Sequence, residues 1–154
     1  MSTLFLLFCL NPVYTIPMAA VLTAEKVRAA LETLSPTQEK VDLAVKTAVE
    51  IAQPSRVILF GSWPRGEAKW DSDLDLAVLM PDSAEGELGA IRRALRRKLD
   101  EVPMSIDLVM ATEGFANRFR GEINSIYYRI FQDGHVAYEQ RPLHAGTSSS
   151  DQSI

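Results

Sequence analysis

The chain has 154 residues, a formal net charge of −4 and a pI near 5.2. This length allows one hydrophobic core and excludes a polymerase with separate fingers and thumb domains. The acidic balance leaves no overall basic surface for holding a long nucleic-acid template by its phosphates. A single cysteine, Cys9, and two histidines exclude an internal disulfide framework and a histidine-rich zinc site, and they favour a reducing cytoplasm.

The amino-terminal residues carry one apolar run, from Leu4 to Leu10. The run is shorter than a membrane-spanning helix, and no Lys or Arg precedes it, so the pattern disfavours both an anchor and a secretory signal. Helical patterning begins only after Met18, which leaves Met18 open as an alternative natural start. We expect residues 1–22 to be a poorly packed extension, residues 23–140 to form the domain, and the Ser-rich residues 141–154 to be disordered.

Two helices are predicted before the first strand. Thr23 is a candidate cap for a helix that ends near Ser35, with apolar residues at helical spacing. Ser35 to Gln38 then has the pattern of a capping box with proline at the first helical position, and it predicts a second helix through about Ala52. Both helices are interpreted as scaffold. The expected buried stripe of the second helix is Val41, Ala44, Val45, Ala48 and Ile51.

The most informative stretch runs from Val57 to Met80. Its first β-rich run is interrupted by Gly61-Ser62, and ten residues later Asp73 and Asp75 alternate with apolar residues. Alternate side chains of a strand share a face, so the two carboxylates are expected to point together. Because adjacent carboxylates repel, the pair predicts a bound cation, and ligands that are all oxygen favour Mg²⁺ or Mn²⁺ with substrate phosphates completing the shell.

A polar loop and a basic helix follow. Pro81 to Gly89 is predicted to be the loop, and Ala90 to Glu101 the helix, with an apolar stripe that includes Leu95 and Leu99. A basic outer face is typical of a solvated surface, and the alternative is a docking surface for an acidic protein or a phosphate-rich substrate. The basic residues are Arg92, Arg93, Arg96, Arg97 and Lys98.

The last predicted elements are a strand, a helix and a short closing segment. The strand, Met104 to Met110, alternates in polarity and carries Asp107 on the face opposite its apolar neighbours. If this strand lies beside the one with the two aspartates, Asp107 completes a cluster of three carboxylates. One helix is expected from Phe115 to Phe131, and Asp133-Gly134 then turns the chain into His135 to Glu139.

Gly61-Ser62, ten residues and Asp73-x-Asp75 together resemble the GS-x10-DxD signature of the polymerase-beta-type nucleotidyltransferase superfamily. With Arg65-Gly66, the chain is most similar to the minimal members, several of which are antitoxins paired with HEPN-domain toxins. The resemblance covers roughly residues 41–139. It implies an α+β, two-layer fold with a small mixed sheet packed against helices, and a third catalytic aspartate at Asp107 on a following strand.

The resemblance also implies an activity and its site. A nucleoside monophosphate, AMP from ATP as the leading choice, would pass to a hydroxyl of a HEPN-type toxin in a hetero-oligomer. Asp73 and Asp75 would each bind two Mg²⁺ ions, while Asp107 would bind the catalytic ion alone and accept the hydroxyl proton. The nucleotide-binding residues would be Gly61, Ser62 and Arg65.

Several alternatives stay open. Trp63 and Trp70 flank the turn and either line a nucleotide pocket or pack over the turn. The acceptor is either a protein or a small molecule such as an aminoglycoside. A third reading is an antitoxin that neutralises its partner by binding alone, without catalysis.

Overall fold

The strands form one mixed sheet of four in the order β3-β2-β1-β4. The computed structural model describes residues 24–140. The expected extension (residues 1–22), the candidate cap Thr23 and the expected tail (residues 141–154) lie outside the described residues. The helices are α1 (Ala24–Leu34), α2 (Gln38–Ala52), α3 (Leu88–Leu99), α4 (Glu113–Arg118) and α5 (Ile126–Asp133), with a 3₁₀ helix at Asp82–Glu87. The strands are β1 (Arg56–Phe60), β2 (Leu74–Met80), β3 (Ile106–Thr112) and β4 (His135–Glu139).

β1 pairs antiparallel with β2 and with β4, whereas β2 and β3 are parallel and joined through α3. One face of the sheet packs on α2 and α3, where Val41, Ala44, Leu95 and Leu99 meet the even-numbered residues of β2. The expected α+β class with a small mixed sheet is confirmed. The opposite face is also covered, by the shorter α4 and α5, so helices lie on both sides of the sheet.

The start of α2 differs from the prediction. Thr37 is the capping residue and its side chain accepts a hydrogen bond from the Lys40 N–H, so Pro36 precedes the cap instead of opening the helix. The Ser35 hydroxyl donates instead to the Trp70 carbonyl, at 3.0 Å. Ser35 therefore does not cap α2, because its hydroxyl is bonded to a residue distant in the sequence. At the other end of the predicted stripe, Ile51 is exposed and Ala52 takes the buried position.

The predicted helix over 115–131 is two helices. α4 ends at Arg118 and α5 begins at Ile126, with Ser125 capping α5 through the Tyr127 N–H. Gly121, Asn124 and Ser125 lie in the break, and residues of these types favour turns and caps over helix interiors. The apolar Ile123 is consequently 75% exposed instead of lying on a helical stripe.

The basic face of α3 is partly used inside the fold. β3 is an edge strand, and two of its carbonyls accept hydrogen bonds from α3, Met110 from Arg92 at 2.6 Å and Ile106 from Arg96 at 2.8 Å. Charged side chains at a sheet edge oppose pairing with another chain. A solvated surface or a docking surface was predicted for this face. Arg92 and Arg96 fit neither alternative, because they bind the edge strand of the sheet.

Replacing both Arg92 and Arg96 with Gln should lower the free energy of unfolding by about 1–3 kcal/mol, because two charge-assisted hydrogen bonds are lost, and should increase self-association. Urea denaturation and light scattering measure the two effects. The control is the pair Arg93→Gln and Arg97→Gln, which removes the same charge from exposed positions of α3. Equal behaviour of the two double variants would contradict the edge role.

No helix within residues 24–140 combines the length and apolar character needed to cross a membrane.

Candidate active site

The turn after β1 is built around two glycines. Gly61 and Gly66 both adopt positive φ, 73° and 70°, which L side chains rarely tolerate. Two backbone hydrogen bonds close the turn, from the Gly66 N–H to the Trp63 carbonyl and from the Glu67 N–H to the Ser62 carbonyl, each at 3.0 Å. β1 therefore stops abruptly at Phe60 and Ser62 is presented immediately beyond the strand end.

Gly61 also makes room for Asp75. A Cβ atom at Gly61 would lie only 1.9 Å from Asp75 Oδ2, and Asp75 is the register partner of Phe60 on the neighbouring strand. The carboxylate thus lies against the backbone of the turn in the space that a side chain would fill. The packing of a predicted site residue therefore requires glycine at this position.

The predicted aspartates lie at one end of one sheet face. Asp75 and Asp107 are register partners across the parallel β2–β3 pair, so their side chains leave the same face on neighbouring strands. Asp73 is exposed and lies one residue before β2, two positions from Asp75. The expectation that the strand carrying Asp107 would lie beside the strand carrying Asp75 is confirmed, whereas Asp73 precedes β2 instead of belonging to it.

The cluster is electrostatically strained. Burial, and then the charge of Asp107, raises the pKa of Asp75, and Asp73 adds to this effect. Two arginines, Arg129 and Arg65, act in the opposite direction and lower that pKa. The pKa of Asp75 is raised on balance, because burial, the largest cause, and the charge of Asp107 both disfavour the ionised carboxylate.

The donor set was compared with the needs of a divalent cation. Within residues 24–140 no three His, Cys, Asp or Glu side chains converge as a complete metal-binding group. Asp75 and Asp107 do provide neighbouring carboxylates, and Asp73 is next to them. Mg²⁺ commonly takes only one or two protein carboxylates and completes its shell with water and substrate phosphate. The residues present fit a cation bound in that way, and they do not form a closed protein cage.

The predicted nucleotide-binding residues Gly61, Ser62 and Arg65 belong to the turn after β1. Ser62 is half-buried, and its hydroxyl has no hydrogen-bond partner among residues 24–140. Arg65 is exposed and its Nε donates to Glu67 Oε2 at 2.8 Å. Trp63 packs against the core, which was one of the two predicted alternatives. Trp70 is 55% exposed and does not pack against the core.

The charge of one residue that was not predicted from the sequence also acts on the site. Arg129, on α5, influences the pKa of Asp75 more strongly than Asp73 does. Arg129 is 54 positions from Asp75, within the segment that was predicted as a helix without a role in the site. Only the packing of α5 on the sheet brings the two together, so no local pattern signals it.

A separate cavity of about 520 Å³ lies between α2 and β4. Its lining includes Val45, Leu59 and Tyr138, and none of the three aspartates. This cavity therefore does not include the carboxylates. We take the carboxylates as the candidate site. Neighbouring carboxylates beside a glycine turn indicate a particular chemistry, whereas a mainly apolar cavity does not.

Residues 41–132 match the model of the nucleotidyltransferase domain family. The match spans more than half of the chain, which therefore belongs to this family. The recognition made from the Gly61-Ser62 turn and the aspartates is confirmed at that level. No curated protein matches the chain significantly.

Two solved structures show limited similarity to the chain. A candidate nucleotidyltransferase from Sulfolobus solfataricus has 15% sequence identity and a TM-score of 0.44, over 74% of this chain and 86% of that one. A toxin-antitoxin structure with AMP-PNP has 20% identity and a TM-score of 0.39, over 65% of this chain and 74% of that one. Similarity at this level identifies no substrate and no partner.

Proposed function

We propose that this nucleotidyltransferase is Mg²⁺-dependent and transfers a nucleoside monophosphate, AMP from ATP, to a hydroxyl group. The observation that supports this best is the register of Asp75 with Asp107, two carboxylates held side by side where the glycine turn presents Ser62. Family membership supports nucleotidyl transfer as the chemistry. The number of metal ions, two, and the choice of ATP rest on the resemblance described above.

Each residue has a role in this proposal. Bound Mg²⁺ would lower the pKa of the attacking hydroxyl and neutralise the triphosphate. Asp73, Asp75 and Asp107 would hold it, while Ser62 and the turn amides would orient the phosphates. An Asp107 carboxylate oxygen would take the hydroxyl proton. The hydroxyl oxygen then bonds to the α-phosphorus, the bond from that phosphorus to the bridging oxygen breaks, and pyrophosphate leaves.

We propose a protein acceptor, a HEPN-type toxin in a cytoplasmic toxin–antitoxin pair. The proposal rests on the similarity of the Gly61 to Leu76 motif to the minimal members of the superfamily. The described domain, residues 24–140, consists of one sheet with its covering helices, which leaves little protein to enclose a small acceptor. A partner protein that brings its own hydroxyl does not require such an enclosure.

The test is transfer of label from α-³²P-ATP with Mg²⁺ to the co-expressed product of a neighbouring gene. We expect label on the partner with the wild-type protein and none with Asp73→Asn, because that substitution removes a cation ligand while keeping the side-chain size. Asp71→Asn is the control, since it changes an exposed carboxylate two residues earlier in the same connection.

Three outcomes would contradict the proposal in different ways. Label on a small hydroxyl compound such as an aminoglycoside, but never on protein, would overturn the protein acceptor alone. A stable inhibitory complex that forms equally well with Asp73→Asn and carries no label would favour an antitoxin acting by binding. Undiminished transfer by Asp73→Asn would remove Asp73 from the site.

A further inference from the structure

The connection between β1 and β2 contains a second turn, at residues 69–72, beyond the glycine turn. It is closed by two hydrogen bonds between the same two residues. The Ser72 N–H donates to the Lys69 carbonyl at 3.1 Å, and the Lys69 N–H donates to the Ser72 hydroxyl at 2.8 Å. Asp73 follows this second turn directly and precedes β2. The position of Asp73 therefore depends on how the second turn is held.

Ser35 ties the second turn to the rest of the fold. Its hydroxyl donates to the Trp70 carbonyl at 3.0 Å, across 35 positions of the sequence. Within residues 24–140, no other hydrogen bond joins residues 67–72 to a residue outside the connection between β1 and β2. The Trp70 side chain is 55% exposed and does not pack against the core. One hydroxyl therefore supplies the tether of this turn.

Ser35 is itself fixed by the start of α2. Its carbonyl accepts a hydrogen bond from Lys40 Nζ at 2.8 Å, and Lys40 lies in the first turn of α2, just after the Thr37 cap. Pro36 follows Ser35, and a proline restricts the backbone of the residue before it to extended conformations. α2 in turn packs on the sheet through the buried Val41. The Ser35 hydroxyl thus has a firm support, and the tether connects the hydrophobic core to the second turn.

We propose that Ser35 is a positioning residue for nucleotidyl transfer, because its hydrogen bond to Trp70 fixes where Asp73 lies. This inference rests on the proposed function, in which Asp73 binds the cation. Asp75 and Asp107 lie inside paired strands, whose hydrogen bonds hold them, whereas Asp73 is exposed and lies outside the sheet. Without the tether, Asp73 would occupy its cation-binding position for a smaller fraction of the time. The apparent affinity for Mg²⁺ falls by that fraction.

Hydrogen–deuterium exchange tests the tether without catalysis. Ser35→Ala should raise the exchange rates of the Lys69 and Ser72 amides about threefold to tenfold, the scale of one lost hydrogen bond. The amides of Gly66 and Glu67, which close the glycine turn, should exchange as in the wild type. Ser35→Thr keeps a hydroxyl at the same position and should restore the wild-type rates.

A Mg²⁺ titration of transfer from α-³²P-ATP tests the positioning role. Ser35→Ala should raise the Mg²⁺ concentration at half-maximal rate about threefold to tenfold, because the site is formed for less of the time. The rate at saturating Mg²⁺ should stay within about twofold of the wild type, since bound cation restores the position of Asp73. Ser35→Thr should return the Mg²⁺ requirement to the wild-type value.

Thr37→Ala is the matched control. Thr37 lies two residues from Ser35 and caps α2 by accepting the Lys40 N–H, but it makes no contact with Trp70 that would hold the second turn. The substitution should lower the melting temperature, because a helix cap is lost. It should leave the Mg²⁺ requirement unchanged.

The outcomes separate the tether from the proposed function. Unchanged amide exchange in Ser35→Ala would overturn the tether. Faster exchange with an unchanged Mg²⁺ requirement would overturn the positioning role and leave the proposed function standing. An equal rise of the Mg²⁺ requirement in Thr37→Ala would also overturn that role, since it indicates a general loosening of α2. Absence of transfer by the wild-type protein would overturn the proposed function and the positioning role with it.

Discussion

Asp75→Asn should reduce nucleotidyl transfer by about a thousandfold or more, because it removes a carboxylate from the centre of the cation site and several kcal/mol of transition-state stabilisation with it. The same substitution should leave the free energy of unfolding at pH 7 unchanged or higher. The charges of Asp107 and Asp73 both raise the pKa of Asp75, so removing the Asp75 charge relieves its repulsion from these two carboxylates. Single-turnover transfer assays and urea denaturation without Mg²⁺ measure the two effects.

The stability effect should depend on pH in a defined direction. Burial and the neighbouring Asp107 raise the pKa of Asp75 in the folded protein above its value in the unfolded chain. The ionised carboxylate therefore costs stability above the folded-state pKa, and this cost is absent below the unfolded-state pKa. The advantage of Asp75→Asn should be largest at neutral pH and should shrink as the pH falls through that interval.

Two results would contradict this account of Asp75. A stability difference that stays constant from neutral to acid pH would show that ionisation of Asp75 does not strain the fold. Transfer near the wild-type rate would show that Asp75 does not serve the chemistry. Asp71→Asn supplies the reference for removing one exposed charge from the same connection.

Gly61→Ala should lower transfer by about a hundredfold or more, because the new methyl group would occupy the place of the Asp75 carboxylate, 1.9 Å from Oδ2. The positive φ of Gly61 adds backbone strain of roughly 1–2 kcal/mol. The expected result is a folded, less stable protein with a displaced Asp75. Transfer assays, calorimetric melting and Mg²⁺-dependent nucleotide binding together describe this variant.

Gly66→Ala is the matched control for Gly61→Ala. Gly66 has nearly the same φ, 70° against 73°, but a Cβ atom there would meet nothing within 4 Å. It should show the backbone strain alone, with a similar loss of stability and nearly normal transfer. If both variants lose activity equally, the glycine turn serves the site through its conformation and not through the space that it leaves for Asp75.

The sequence predicted the parts of the site that depend on local periodicity. Polar and apolar residues that alternate with a period of two were sufficient to assign Asp75 and Asp107 to strands, with their apolar neighbours on the opposite face. Both residues lie in strands in the structure, Asp75 in β2 and Asp107 in β3. The pairing of those strands is a long-range property, and periodicity alone left it conditional. The resemblance to a known family supplied the expectation, and the parallel register of β2 with β3 confirmed it.

The errors have local as well as tertiary causes. Ser35 has the sequence pattern of a helix cap, but its hydroxyl binds the Trp70 carbonyl and Thr37 caps α2 instead. The break between α4 and α5 was overlooked because apolar residues continue at helical spacing through Ile123, which is exposed. Arg129 could not be assigned at all, since its relation to Asp75 exists only after α5 packs on the sheet.

The parallel pairing of β2 with β3 makes the site dependent on an edge strand of the sheet. Asp73 and Asp75 belong to a local β1–β2 hairpin, whereas Asp107 arrives 32 positions after Asp75 on an edge strand, after the chain has passed through α3. Closing that longer loop costs more chain entropy than closing the hairpin. Detachment of β3 alone would separate the third carboxylate from the other two while the hairpin stayed formed. Loss of catalytic competence would then precede global unfolding, and Arg92 and Arg96, which hold β3 from α3, would set how often it occurs.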